Sequence, residues 1–220
     1  ILDENIKIYP FFYLWSFLDL TCQFWTRSNK YHINLQGRYG DYHHIVKDKL
    51  NLNFVSGDSK RGSSLLNNLN IPEDEKWVCI HNRDNAYLQK VFPDADYTYH
   101  NFRNYSINDM MVAAEFLTDC GYYVVRMGEI SDEKISTNNK YIIDYSNSNY
   151  KSDFADIYLL SNQNFFLGND SGIWTIPLIN SKIIGMTNFT NLHMFSLNTA
   201  LNIIYIPKKF FDSDKNRFLS

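Results

Sequence analysis

The sequence predicts an α/β fold for most of the chain: a parallel sheet of Rossmann-like type with flanking helices. From residue 71 onward, short β-rich runs alternate with stretches of helical length, the pattern of successive βαβ units. The runs are apolar nearly throughout, as expected where both faces of a sheet are covered. Four of them also end in polar clusters on their carboxyl side, the edge where open parallel sheets receive ligands.

Before residue 71 the pattern is irregular. The run "PFFYLWSFLDLTCQFW" (10–25) places Phe11, Leu14, Trp15, Leu18, Cys22 and Trp25 on one helical face, with the other faces nearly as apolar. It is shorter than the roughly 20 residues a bilayer span needs, and Asp19 interrupts it. A buried core helix is therefore expected, with an interfacial membrane helix as the alternative. In "SGDSKRGSSLLNNLNI" Ser59 can cap a short helix that ends before Pro72.

"WVCIH" (77–81), after the charged "PEDEK", is the first expected strand, and a long polar loop follows it. Ser106 and Asp109 form an S-x-x-D helix start. The helix carries Ile107, Met110, Met111, Ala114, Phe116 and Leu117 on its apolar side, and Gly121 stops it. "YYVVRM" (122–127) and "YIID" (141–144) are the next strands. Ser152 can cap "DFADIYLLS", which turns Phe154, Ile157, Tyr158 and Leu159 or Leu160 inward. "NFFLG" (164–168), a helix kept short or bent by Pro177, and "KIIGM" (182–186) complete the series.

The bulk numbers narrow the function classes. A net charge of −3 leaves no general basic field for nucleic acid. Three widely spaced cysteines, Cys22, Cys79 and Cys120, form neither a C-x-x-C zinc spacing nor a disulfide framework. A reducing, cytoplasmic compartment is expected, with peripheral attachment at the inner face of the cytoplasmic membrane as the variant. Both ends read as cut from a longer polypeptide. An aromatic content of 16% suits a core with tyrosine-lined clefts.

The four polar clusters are His81-Asn82-Arg83-Asp84, Arg126-Met127-Gly128-Glu129, Asp144-Tyr145-Ser146 and Gly168-Asn169-Asp170-Ser171-Gly172. In a parallel sheet they converge on one crevice, with the means to hold a diphosphate. Arg83 and Arg126 offer planar charged forks. Gly168 and Gly172 allow a backbone to come close, Asn169 and Asp170 flank the turn, and Ser171 supplies a hydroxyl and an amide at a helix start. Gly128, Glu129, Asp144, Tyr145, Ser152 and Asp153 are candidate nucleotide or sugar contacts.

Each residue also has a plainer reading. Asp170 and Ser171 can simply cap a helix, and Arg126 can be a salt-bridging residue. Asp84 either orients Arg83 or serves as a carboxylate base. Glu129 is a solvated acid or an alternative base, and His81 a hydrogen-bonded core histidine. The adjacent His43 and His44 form a surface pair or contribute a base across a cleft. No G-x-G-x-x-G, Walker loop or G-x-S-x-G elbow is present. Asp94 with Asp96 and Asp212 with Asp214 have D-x-D spacing but sit in polar loops. No metal and no cofactor are therefore expected.

"KWVCIHNRDNAYL", "YHNFRNYSINDMMVAAEFLTDCGYYVVRMGE", "IIDYSNSNYKSDFADIYLLSNQNFFLGNDSGIWTIPLI" and "IPKKF" together resemble a family of bacterial glycosyltransferases linked to surface-polysaccharide synthesis. The resemblance spans residues 50 to 210. It implies the GT-B architecture, with residues 71–220 as the Rossmann-like nucleotide-sugar-binding domain. Residues 1–70 would be the end of the acceptor-side domain or the connection to it.

His81-Asn82-Arg83 is also similar to the H-x-R strand end of fucosyltransferase-type enzymes, which implies a diphosphate contact for Arg83; Asp84 stands where a second arginine is usual. The 168–172 turn resembles the G-N-D-[ST]-G turn of heptosyltransferase-like proteins, with Ile173 and Thr175 in place of their proline and histidine. The implied activity is metal-independent, inverting transfer from a nucleotide-diphosphate sugar to a glycan or lipid-linked glycan. The alternatives are a non-catalytic nucleotide- or glycan-binding module and a GT-B-like nucleotide-sugar epimerase.

Overall fold

The computed structural model describes residues 52–190 and 202–218. The chain divides into two compact units, Ile1–Asp41 and Tyr42–Ser220. The run 10–25, Cys22 and the His43–His44 pair lie outside the described residues, and all that follows concerns the second unit.

Helix α1 (Ser56–Asn68) starts ahead of Ser59, because Asp58 closes its first turn. The Val55 N–H donates to the Asp58 carboxylate at 3.2 Å, and the Asp58 N–H returns to the Val55 carbonyl at 2.9 Å. Its apolar side buries Leu65 and Leu66, followed by Leu69 and Ile71. Gly62 lies against the ring of Tyr158, where any side chain would collide.

Strand β1 (Trp77–His81) leads into α2 (Ala86–Val91) and a 3-10 helix, Thr98–Arg103, so the expected polar loop is partly helical. The Ser106 hydroxyl accepts the Asn108 N–H at 3.1 Å and starts a 3-10 turn, Ile107–Met110, that runs into α3 (Met111–Asp119). Ile107, Met110 and Ala114 are buried as expected. Phe116 is not: it is 65% exposed, because only the narrow stripe above the sheet is covered. Gly121, at φ +85°, ends the helix.

Then come β2 (Tyr123–Arg126), β3 (Ile142–Ile143), α4 (Asp153–Asn162), β4 (Phe165–Gly168), α5 (Thr175–Ile179) and β5 (Ile183–Phe189). The sequence reading does not foresee β6 (Ile203–Pro207) or the small antiparallel pair β7 (Phe211–Asp212) and β8 (Arg217–Phe218).

The six strands β3-β2-β1-β4-β5-β6 form one sheet in that order, all parallel. The predicted Rossmann-like α/β sheet is present. One face carries Val78, Ile80, Val124 and Ile142 against Ile107, Met110 and Ala114. The other packs on α4, where the Trp77 indole N–H donates to the Leu159 carbonyl at 3.1 Å. Chain order reverses direction between β1 and β4, so that carboxyl edge opens between two diverging crossovers. No helix among the described residues is long and apolar enough to cross a membrane.

Candidate functional site

A cleft of about 570 Å³ opens at the β1/β4 switch point, where His81 and Gly168 are paired in register. Its polar walls come from the loop after β1 (His81, Asn82, Arg83, Asp84) and the turn after β4 (Ser171, Gly172). Gly128 and Glu129 after β2, Asp156 on α4, and Tyr97, His100 and Arg103 complete them. Ile157, Leu160, Ile173 and Ile176 make the wall between α4 and α5 apolar. A largely apolar cavity with a few converging polar groups is the usual form of a small-molecule site.

Arg83 is where the sequence places it. It is 8% exposed, and its guanidinium donates to the Asn104 side chain and, at 3.3 Å, to the His100 carbonyl. Burial, with the Arg103 guanidinium beside it, pulls its pKa below the ordinary arginine value. Arg103, which the sequence reading passes over as part of a polar loop, is the second arginine of the cleft. The Asn169 and Asn188 amides hold its carbonyl at 2.8 and 3.2 Å, and its Nη1 pairs with Asp170 at 3.6 Å. Its Nε and the Ser171 Oγ are buried with no hydrogen-bond partner among the described residues. Such groups are costly in a folded protein unless something supplies the bond.

Arg126 is a correction. It does not line the cleft. It is fully buried and spans the ends of three strands, donating to the Glu133 carbonyl, to Asp144 Oδ1 at 3.4 Å and to Asn82 Oδ1 at 3.1 Å. The reason is parity: Arg126 is in register with Ile80 and shares the face of Val124, beneath α3. Side chains alternate along a strand, so Arg126 faces away from α4, whose Asp156, Ile157 and Leu160 line the cleft.

Other residues of the expected set are also structural. The Asp84 carboxylate lies at the cleft but accepts the Ala86 and Asp132 amides, both at 3.1 Å, so it organises two loops. Asp144 accepts from Ile135 N–H at 3.1 Å and Asn147 Nδ2 at 2.8 Å besides Arg126. Asn169 is buried, its Oδ1 accepting the Arg83 N–H at 3.0 Å. A Cβ on Gly168 would come within 2.7 Å of the Phe166 ring and 2.9 Å of the His81 carbonyl; strand packing, not a ligand, requires that glycine. Ser152 is the cap of α4, accepting the Ala155 N–H at 3.2 Å, and Asp153 is exposed in the first turn. Neither lines the cleft.

Gly128, Glu129, Ser171 and Gly172 do line it. Gly128 needs its φ of +155°, with the Ser131 and Ser146 hydroxyls packed where a Cβ would be. Glu129 pairs with Lys151 at 3.5 Å. A Cβ on Gly172 would meet no atom within 4 Å, so the turn stays low beside the cleft. The helix dipole expected behind it is weak, because Gly172–Trp174 is a 3-10 turn and α5 is short.

Two titratable groups complete the site. The imidazole of His81 bonds through Nδ1 to the Met127 carbonyl at 3.1 Å, and burial drives its pKa down to about 4, so it is neutral at physiological pH. Asp156, absent from the sequence-based set, accepts the buried Tyr145 hydroxyl at 2.7 Å. Burial raises the pKa of Asp156, and burial likewise raises the pKa of Tyr145, which lies behind Asp156 and does not reach the cleft. Only its place in the first turn of α4, beside a strand end, could have marked Asp156 in the sequence.

The Asp96 and Asp212 carboxylates accept nearby backbone amides in their turns. Among the described residues no three His, Cys, Asp or Glu side chains gather as a metal-binding group. Comparison of the chain with protein-family models, curated proteins and solved structures finds no match.

Proposed function

We propose that this unit is the donor-binding half of a GT-B-type glycosyltransferase, holding a nucleotide-diphosphate sugar at the β1/β4 switch point. The transfer would go to a surface-glycan or lipid-linked glycan acceptor. The observation that supports this reading best is that Arg83 and Arg103 share one cleft with Ser171 and the open Gly172 turn. The Arg83 and Arg103 guanidiniums supply the charge-assisted donors a diphosphate needs, with Asp84 held by two backbone amides and Glu129 paired with Lys151. Held by the His100 carbonyl and the Asn104 side chain in the case of Arg83, and by Asp170 in the case of Arg103, they are suited to stabilising the charge that builds on a departing diphosphate, without a metal. The apolar wall suits a nucleobase, and the Asp156 carboxylate suits hydroxyl or N–H donors of the nucleoside.

A second reading has its own support. With Asp84 engaged by two amides, the β1 loop offers no carboxylate without a structural task, which fits a module that binds without transferring. Calorimetry of the chain with UDP-, GDP-, CMP- and ADP-sugars tests the shared premise. One of them should bind, and Arg103→Ala should weaken it at least tenfold, as for a lost charge-assisted contact. Silence from the whole panel would overturn the reading. Product analysis then separates transfer from binding alone, and from epimerisation, in which the sugar changes without an acceptor.

A further inference from the structure

We propose that the β7–β8 hairpin is a foot that seats the protein on an anionic phospholipid surface. Phe211 and Phe218 are directly opposite each other in the ladder, with ring centroids 5.2 Å apart, and they are 53% and 63% exposed. Phe210 just before them is also exposed. Burying such rings belongs to the acyl–headgroup boundary as much as to a protein core.

Lys209 shares the face of these rings, whereas Arg217 is opposite Asp212 in the ladder and points to the other face. Residues 208–218 hold Lys208, Lys209, Lys215 and Arg217 against Asp212 and Asp214, although the whole chain has a net charge of −3. The Lys209 ammonium stands 5.9 Å from the centre of the Phe218 ring. Asp212 is occupied within the hairpin, accepting the Asp214 and Lys215 amides at 3.1 Å and pairing with the Lys215 ammonium at 3.5 Å. The hairpin is anchored at its base, where the Lys208 N–H donates to the Phe189 carbonyl at 2.9 Å and its ammonium to the Phe102 carbonyl at 2.7 Å. It is therefore built before docking, and little ordering entropy is lost on contact.

A bilayer with acidic headgroups offers both things this surface lacks, apolar depth and negative charge. A second copy carries the same net positive hairpin and so supplies no complementary charge. A hairpin of two-residue strands is also far smaller than the roughly 800 Å² per partner of a stable protein interface. The inference stands apart from the cleft and does not depend on the glycosyltransferase reading.

Co-sedimentation of the full chain with vesicles of phosphatidylglycerol and phosphatidylcholine, against phosphatidylcholine alone, tests it. Binding should require phosphatidylglycerol and weaken with added salt. It should fall about fivefold in K209Q, which removes the cation beside the rings, and about tenfold or more in F211S/F218S. Both variants should keep the wild-type unfolding midpoint, since every changed side chain is exposed. No binding to acidic vesicles overturns the proposal. So does binding that both K209Q and F211S/F218S retain, which would place the contact elsewhere in the chain. A dimer on gel filtration that F211S/F218S disperses, without vesicle binding, overturns it in favour of self-association.

Discussion

Replacing each of two arginines by methionine separates the strut from the ligand contact. Arg126→Met removes a fully buried guanidinium with hydrogen bonds to Glu133, Asp144 and Asn82. Asp144 keeps two other donors, from Ile135 and Asn147, and is partly solvated. The Asn82 carbonyl, on a buried residue, loses the donor that Arg126 supplies. One orphaned acceptor and one carboxylate without its counter-charge come to about 3 kcal/mol, the low end for breaking a buried pair. For a unit of this size that lowers Tm by about 6–12 °C.

Arg103→Met removes a largely buried guanidinium that is 19% exposed and pairs with Asp170 at 3.6 Å, costing about 1–2 kcal/mol of stability, less than Arg126→Met. It should instead weaken nucleoside-diphosphate binding at least tenfold. Urea titration followed by fluorescence of the buried Trp77 and Trp174 reads stability, and calorimetry with nucleoside diphosphates reads affinity. An Arg126→Met protein of wild-type stability that had lost nucleotide affinity would refute the assignment of Arg126 to the frame.

Three more outcomes follow from the same contacts. Gly168→Ala should cost about 1–3 kcal/mol by overpacking against Phe166 and the His81 carbonyl, seen as a lower urea midpoint. His81 makes the fold acid-sensitive: with its pKa lowered from 6.5 to about 4, the unfolded chain takes the proton first. Its stabilisation is complete above pH 6.5 and is lost as pH falls towards 4, by about 3 kcal/mol in all. His81→Asn should flatten that stretch of the stability–pH curve. Asp84→Ala should cost about 1–2 kcal/mol, as for a lost cap, and speed hydrogen exchange at the Ala86 and Asp132 amides that it holds; unchanged exchange there would contradict its structural role.

Strand positions were legible because a covered parallel strand has to be apolar at consecutive positions, as in Val78, Cys79 and Ile80. Caps were legible where a hydroxyl meets a free amide locally, as at Ser106 and Ser152. Ser59 failed because Asp58 stood one residue earlier with a longer reach. Strand β6 carries few markers, because Ile204 and Ile206 are exposed and apolar and blur its alternation; the hairpin has turn chemistry at Asp212 and Asn216, but its two-residue strands are too short to show a period.

The sequence by itself determined the Rossmann-like sheet and which loops lie at its carboxyl edge, since both follow from local pattern and the handedness of βαβ crossovers. Only the tertiary structure decided which arginines reach the cleft. A side chain's face depends on strand register, which turned Arg126 under α3. Arg103 arrives on a 3-10 helix whose last carbonyl is clasped by Asn169, 66 residues away along the chain. Contacts between residues so far apart leave no periodic trace for a linear reading to follow.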